Sequence, residues 1–497
     1  MTASASPLAR SVALPDLLGS CAAAWPQVQV RGVQLDSRRV GPGDLFLAVP
    51  GGSHDGRQFI EQAVASGAVA VAAEPPVAGY VDAVQVPLLE IPELAREAGA
   101  IAARFYGEPS LELDMVAITG TNGKTTTTRL LAQLLRARGL SCGVIGTLGA
   151  VLDDSVTAAA NTTPDAVALQ RQLAAWRDQG VAAVCMEVSS HALDQGRVNG
   201  ARFAIAVFTN LSQDHLDYHG SMAAYGRSKQ QLFRSPGLRH AVINLDDAYG
   251  AEVLAGLPAG VQAWTFSAAG RADAQIRVTE SEFHPGGVRA TLHTPWGSGV
   301  FASPLPGDFN LANVVAAVTC ALLLDPELPE LLAAVALLKP VPGRMEPVAN
   351  CIGLQVVVDY AHTPDALAQV LAALRPHVAG RLVAVFGCGG DRDRSKRAPM
   401  GHIACAGADK VILTSDNPRH EDPLVILRDI QQGCSGEVDV QPDRAAAIAA
   451  AIAAARPGDC ILIAGKGHED YQIVGSERHP FSDTDTAARA LQGRVSA

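Results

Sequence analysis

ITGTNGKTTTT, residues 118–128, decides how this chain is read. Gly120 and Gly123 bracket Thr121 and Asn122, and Lys124, Thr125 and Thr126 follow directly. The apolar run at 115–118 predicts a buried strand, and 125–137, stopped by Gly139, predicts a helix. A Gly-rich turn between the two aims several backbone N–H groups at one point, at the positive end of the helix dipole. An anion as charged as a triphosphate needs such a nest. The pattern sets Lys124 against the β- and γ-phosphates and the Thr125 hydroxyl on Mg²⁺. The spacing departs from G-x-x-x-x-G-K-T, because position 118 is Ile rather than Gly. A Gly/Thr-rich surface turn is the alternative, and it gives no reason for strand, turn, Lys-Thr and helix to stand in register.

Composition narrows the class. A chain of 497 residues exceeds one core, so two to four domains are expected. With 48% hydrophobic and 18% charged residues it reads as soluble and globular rather than disordered. A net charge of −11 argues against general nucleic-acid binding, which needs a basic face. Lysine occurs only at 124, 229, 339, 396, 410 and 466, so a lysine inside a motif is less readily dismissed as surface charge. Nine scattered cysteines without a CxxC pair read as reduced thiols in a cytoplasmic protein. No stretch approaches the roughly 20 apolar residues of a membrane helix, and no signal peptide is expected.

Three α/β blocks emerge. Residues 1–97 hold strand-like LFLAV (45–49) and VAVAA (69–73) around a helical stretch at 60–66. Residues 98–343 open with a helix at 98–105 and the loop above. They continue with strand-like AAVCMEV (182–188), AIAVFT (204–209) and AVIN (241–244), with further β structure near 288–292. Residues 344–497 alternate strand and helix: LQVVVD (354–359), LVAVFG (382–387), VILT (411–414) and CILIAG (460–465), with helices from Pro364, near Pro399, from Pro423 and over 445–455. That alternation predicts a Rossmann-like parallel sheet.

The shortened TGTNGKT loop resembles that of the Mur ligases and their folylpolyglutamate synthetase relatives, which join an amine to a carboxylate with ATP hydrolysis. The resemblance runs from about residue 30 to the C-terminus. It implies an N-terminal UDP-binding domain, a central P-loop-type ATPase domain and a C-terminal domain for the amino acid. Gly120–Thr126, Asn310 and Asn313 in GDFNLANVVAA, Arg344 in PGRME and Asp359 in VVDYAHTP match ATP contacts. Asn310 as a plain N-cap remains open. Glu187, at a strand end, and His215, in TNLSQDHLDYHG, match metal and catalytic positions. Lys229, four residues after Tyr225, matches a carbamylated lysine that ligates the metal; a solvated helix lysine is its alternative.

Asp416-Asn417-Pro418-Arg419 marks, within this family, the members that select meso-diaminopimelate. Diaminopimelate differs from lysine by a far carboxylate, which a guanidinium fork can bind in two parallel hydrogen bonds. Arg392 in GCGGDRD, with Gly465 and Glu469 in AGKGHEDYQ, matches the rest of that pocket. Asn161, Thr162, Thr163, Ser189, Gln195 and Arg197 match contacts to a UDP-N-acetylmuramoyl-L-alanyl-D-glutamate acceptor. Leu35, Ser37, Gly52, Ser53 and His54 match its uridine-diphosphate contacts. At Phe481-Ser482-Asp483-Thr484 the chain departs from the family, which places Arg after the Asp. The expectation is a monomeric, cytoplasmic, Mg²⁺-dependent ligase of peptidoglycan precursor synthesis, and so a contributor to cell-wall growth, cell shape and cell division. Its substrates are small molecules, with no nucleic acid or membrane partner. The rivals are a lysine-adding homologue, folylpolyglutamate synthetase and, in another class, a P-loop switch or motor ATPase.

Overall fold

Strand Asp44–Ala48 is buried on both faces, so its sequence is a continuous apolar run rather than an alternating one. It is the second strand of a parallel sheet ordered Gly32–Gln34, Asp44–Ala48, Ala70–Ala73, Leu88–Glu90. Leu45, Leu47, Ala70 and Ala72 pack with Ala98, Ile101 and Phe105 of helix Leu94–Tyr106. Phe46, Ala48, Val71 and Ala73 pack on the other side with Ile60 and Ala63 of helix Ile60–Ala65. The computed structural model describes residues 10–51, 55–80, 84–153, 155–157, 161–284 and 287–495.

The chain forms two compact units. The first comprises Met1–Ala117, Leu140–Ala206 and Gln231–Arg239; the second comprises Ile118–Gly139, Val207–Gln230 and His240–Ala497. Besides the four-stranded sheet, the first unit pairs Cys142–Gly146 in parallel with Ala183–Glu187. On its other edge Cys142–Gly146 pairs antiparallel with Gly149–Leu152, which hairpins to Ser155–Thr157.

In the second unit His240–Asn244, Gln262–Ser267 and Ile276–His284 run parallel, and Gly287–Thr294 and Gly297–Ser303 extend the sheet antiparallel. Helix Asp308–Leu324 is apolar nearly all round and buried along its length, packed on the phosphate-loop helix Lys124–Ala137. A six-stranded sheet follows, ordered Glu346–Pro347, Gln355–Asp359, Cys460–Ala464, Leu382–Phe386, Lys410–Leu413, Asp439–Val440. Its long strands are parallel. Helices Pro364–Leu374, Arg397–Gly407 and Pro423–Gln431 cover one face, and Arg444–Ala454 and Asp483–Val495 the other. This is a doubly wound sheet, whose ligands lie beyond the carboxyl ends of the strands. The strings YAHTP, GCGGDRD, DNPR and GKGHED all follow such ends. Among the described residues no helix is long and apolar enough to cross a membrane.

The segment Pro342-Gly343-Arg344 leads into this sheet. Gly343 (φ 68°) and Gly467 (φ 52°) face each other backbone to backbone. A Cβ on Gly343 would lie 2.1 Å from His468 N, and one on Gly467 2.7 Å from Gly343 O.

Candidate active site

The phosphate loop is closed by its neighbours. Asn210 O accepts from Thr121 N at 2.9 Å, and Asn210 Oδ1 from Asn122 N at 2.8 Å. Thr209 Oγ1 donates to Asn122 O at 2.6 Å. Gly120 and Gly123 both have positive φ, and a Cβ on either would strike Thr209 Oγ1 or Asn313 Oδ1. Only glycine therefore allows Thr209 and Asn313 to come this near. Lys124 begins the helix and folds back, donating to Gly120 O at 2.8 Å and Thr121 O at 2.7 Å. Thr125 and Thr126 are buried in its first turn, with Thr125 Oγ1 accepting from Arg344 Nη2 at 3.3 Å.

A cavity of about 210 Å³ opens beside the loop. Its walls include Asn122, Gly123, Asn210, Asn244, Phe266, Phe309 and Asn313. Asn313 Oδ1 accepts from Thr127 Oγ1 at 3.2 Å. The N-cap of helix Asp308–Leu324 is Gly307, so Asn310 is not the cap; its amide donates to Pro306 O at 2.8 Å. Asp359 is buried and accepts from the N–H groups of Met345 and Ala361, both at 2.7 Å. It thus fastens the start of the third block to its own strand end. From that block Asp365 Oδ2 reaches the loop, accepting from Asn122 Nδ2 at 2.9 Å and from Gln369 Nε2 at 3.0 Å.

Lys229 is not a solvated helix lysine. It is 1% exposed, donates to Gly120 O at 2.7 Å and lies 4.2 Å from the Tyr225 ring centroid. Burial, with the charge of Lys124 added, pushes its pKa well below that of an ordinary lysine. Tyr225 also meets the rings of His215 and His219, and its hydroxyl is 3.2 Å from Thr121 Oγ1. His215 has φ 54° and precedes the short helix Leu216–His219; its side chain is half exposed, with Nε2 3.4 Å from Asp214 Oδ2. Among the described residues no three His, Cys, Asp or Glu side chains converge as a metal site.

The amino-acid strings gather at one end of the C-terminal sheet. Glu469 Oε2 accepts from Asn417 Nδ2 at 2.8 Å and from Lys466 Nζ at 2.9 Å. Asn417 Oδ1 accepts from Lys466 Nζ and Ile473 N, both at 3.0 Å. Gly465 leaves room for Asp416, whose Oδ2 would be 2.6 Å from a Cβ there. Arg419 holds a left-handed φ of 52°, bracketed by backbone bonds to Ile473 and Gly475. Its Nη1 donates to Gly390 O at 2.8 Å, and it makes no ion pair among the described residues. Gly389 separates it from the exposed Arg392: a Cβ there would meet Arg419 Nη1 at 2.9 Å and Arg392 Cγ at 3.8 Å. The departure at Asp483 has a structural counterpart. Asp483 takes both forks of Arg444, at 2.7 Å each, and both side chains are fully buried.

The first unit carries the remaining predicted residues. Glu187, 2% exposed, accepts from Thr147 N at 2.9 Å and Thr147 Oγ1 at 3.1 Å. Thr147 Oγ1 is 3.2 Å from Thr162 Oγ1, Thr163 Oγ1 donates to Glu187 O and accepts from Ser189 N, and Arg197 reaches Thr163 O and Gln195 Oε1. Asn161 is exposed beside them. A cavity of about 670 Å³ joins Leu35 and Ser37 to Gln195 and Arg197, with Phe46, Phe59 and Gln62 in its wall. Gly52, Ser53 and His54 lie outside the described residues.

Sequence reasoning passed over Asn210, Thr147, Asp365 and Lys466. The rarity of lysine was the signal for Lys466, and TNLSQDH already contained Asn210. Thr147 and Asp365 had none.

Three family models match the chain: "Mur ligase family, catalytic domain" over residues 29–106, "Mur ligase middle domain" over 118–321 and "Mur ligase, glutamate ligase domain" over 343–467. The UDP-N-acetylmuramoyl-L-alanyl-D-glutamate–2,6-diaminopimelate ligase of Pseudomonas aeruginosa is 50% identical over 473 residues, 94% of this chain and 97% of its own. The ligase of the same description from Ectopseudomonas mendocina is 51% identical over 471 residues, 94% and 96% of the two chains. A solved structure of such a ligase matches with a TM-score of 0.73 at 38% identity, covering 98% of this chain and 99% of that one.

Proposed function

The chain belongs to the Mur ligase family, and from that premise we propose that it joins meso-2,6-diaminopimelate to the D-glutamyl γ-carboxylate of UDP-N-acetylmuramoyl-L-alanyl-D-glutamate. It is an ATP-dependent acid–amino-acid ligase, acting in the cytoplasm on a peptidoglycan precursor. The observation that carries this reading is the occurrence, within one compact unit, of a phosphate loop and a pocket whose guanidinium makes no ion pair among the described residues.

Residues 1–97 and the Thr162–Arg197 region hold the acceptor. Thr and Ser hydroxyls with Arg197 suit a peptide bearing free carboxylates. Residues 98–343 hold ATP on Gly120–Thr126 with Asn310 and Asn313, and residues 344–497 supply Arg344 and the amino-acid pocket. Mg²⁺ would be held by the Thr125 hydroxyl, His215 and a carbamate on Lys229, with Glu187 assigned to a metal by the family resemblance alone, and it would neutralise charge on the transferring phosphoryl group. The donors fit. Lys229 is a buried amine whose pKa is pushed down, toward the neutral form that adds CO₂, and the product would be an anionic two-oxygen ligand.

The acceptor's γ-carboxylate oxygen bonds to the γ-phosphorus as ADP leaves. Lys124 stabilises the charge that develops in this transfer. An amine of diaminopimelate then bonds to the acyl carbon, phosphate departs and the amine's proton passes to solvent. Arg419 and Arg392 bind the far carboxylate of diaminopimelate and so hold its amine in place. Lysine has no such carboxylate, and a polar site left unpaired by the wrong substrate discriminates by about 10⁴-fold.

An amino-acid panel tests the reading. Phosphate release is measured with ATP, the nucleotide dipeptide and one amine at a time. Turnover should require the dipeptide and be fastest with meso-diaminopimelate. Equal rates with L-lysine would favour the lysine-adding homologue, and turnover with ATP alone a switch ATPase.

A further inference from the structure

Arg344 is half-buried and aimed at Thr125 in the first turn of the phosphate-loop helix. Among the described residues no carboxylate hydrogen-bonds to it, though its charge reaches the buried Asp359. Its buried Nε has no hydrogen-bond partner among the described residues, and Asp359 nearby accepts from two backbone N–H groups instead. What faces the guanidinium is a ring: Arg344 Cζ stands 4.6 Å from the centroid of Tyr360. That ring is itself wedged, edge-on to His362 at 4.6 Å and tilted against His468 at 5.2 Å. The backbone of Gly467 closes the remaining side, where a Cβ would come within 2.8 Å of Tyr360 Cβ.

We propose that Tyr360 is a positioning residue whose ring holds the Arg344 guanidinium toward the phosphate loop without neutralising it. A carboxylate in the ring's place would fix the guanidinium as firmly but cancel its charge. An aromatic face attracts a cation through its quadrupole and leaves the full positive charge for a polyphosphate. Tyr360 thus acts through Arg344 and needs no contact with nucleotide. The inference deepens the proposed function and rests on the reading that the loop takes ATP.

The test uses the full chain and a non-hydrolysable ATP analogue with Mg²⁺, read by calorimetry, with melting curves for every variant. Tyr360→Leu should weaken binding about 10-fold, the scale of a desolvated cation–π contact, and Tyr360→Phe should retain most of the affinity. In an Arg344→Met background Tyr360→Leu should add less than about 2-fold, because the two residues form one interaction. An effect of the same size with and without Arg344 would overturn the proposal, as would Tyr360→Phe proving as damaging as Tyr360→Leu. If the leucine variant does not fold, phenylalanines of rising fluorination at position 360 keep the shape while draining the ring's charge. Affinity should then fall stepwise, and a flat series overturns the proposal. Wild-type phosphate release that requires both co-substrates tests the ligase reading separately. Its failure would leave the nucleotide-binding series to judge Tyr360.

Discussion

Lys229 Nζ lies 2.7 Å from the carbonyl oxygen of Gly120, the first glycine of the phosphate loop, with its own helix and the Tyr225 ring sealing it from water. A charged amine there is penalised twice, by burial and by Lys124. Both effects favour the neutral, nucleophilic amine that carbamylation requires. Lys229→Ala and Lys229→Arg should both lose activity by about 10²-fold or more, since neither can supply the anionic ligand. Formate or acetate should partly restore Lys229→Ala and do nothing for Lys229→Arg. A ¹³C carbamate signal from wild-type protein under labelled CO₂, absent from both variants, provides the direct check.

Arg419 makes no ion pair among the described residues, and its strained backbone is clamped by the hairpin Tyr471–Val474 and Glu477–Pro480. Arg419→Ala should raise the KM for diaminopimelate roughly 10- to 100-fold, the value of a charged hydrogen-bonding pair, and leave the KM for ATP little changed. Discrimination against lysine should collapse in the same variant. Steady-state kinetics with both amines measures this, and intact selectivity would contradict the assignment.

Arg444 and Asp483 are both 0% exposed and bound by two parallel hydrogen bonds. Removing one partner strands a buried charge, so Asp483→Ala should cost about 3–5 kcal/mol in urea unfolding. Replacing both, as Arg444→Met with Asp483→Leu, should recover most of that loss. A single variant as stable as wild type would show that the pair is not the fastening of helix Asp483–Val495.

Asp459 gives stability a pH dependence. Burial alone would raise its pKa, but Arg381 and the N–H groups of Arg381 and Arg456 outweigh burial and bring it to about 2. Its unfolded value is about 3.9, so the folded state favours the ionised form. That contribution is complete above pH ~4 and is lost as pH falls toward ~2. Asp459→Asn should therefore be destabilising at pH 6, and the gap from wild type should narrow at pH 3. Urea midpoints at the two values provide the measurement.

Much of this was legible in the chain. ITGTNGKT fixed strand, turn and helix because glycine conformation and helix ends are local matters. The alternation after residue 354 gave a parallel sheet, since buried strands read as apolar runs. The family strings fell on the wall of the cavity between Leu35 and Arg197 and on the Asn417–Lys466–Glu469 cluster. Long-range partnerships were not legible. Nothing near Asp483 names Arg444 as its partner, 39 residues away, and nothing in TPD announces that Asp365 meets Asn122. A cap was the alternative reading of Asn310 because it sits by a helix start, yet the chain turns three residues earlier, at Gly307. Such pairings are set by which strand ends the topology brings together, and that appears only once the sheet is wound.

The facing pair Gly343 and Gly467 limits how this lineage can vary. Neither offers a side chain to any substrate, yet a single methyl group on either would collide with the opposite backbone. In a saturation mutagenesis screen these two codons should prove as intolerant as those of the reacting groups, while exposed Pro342, one residue away, should accept most replacements.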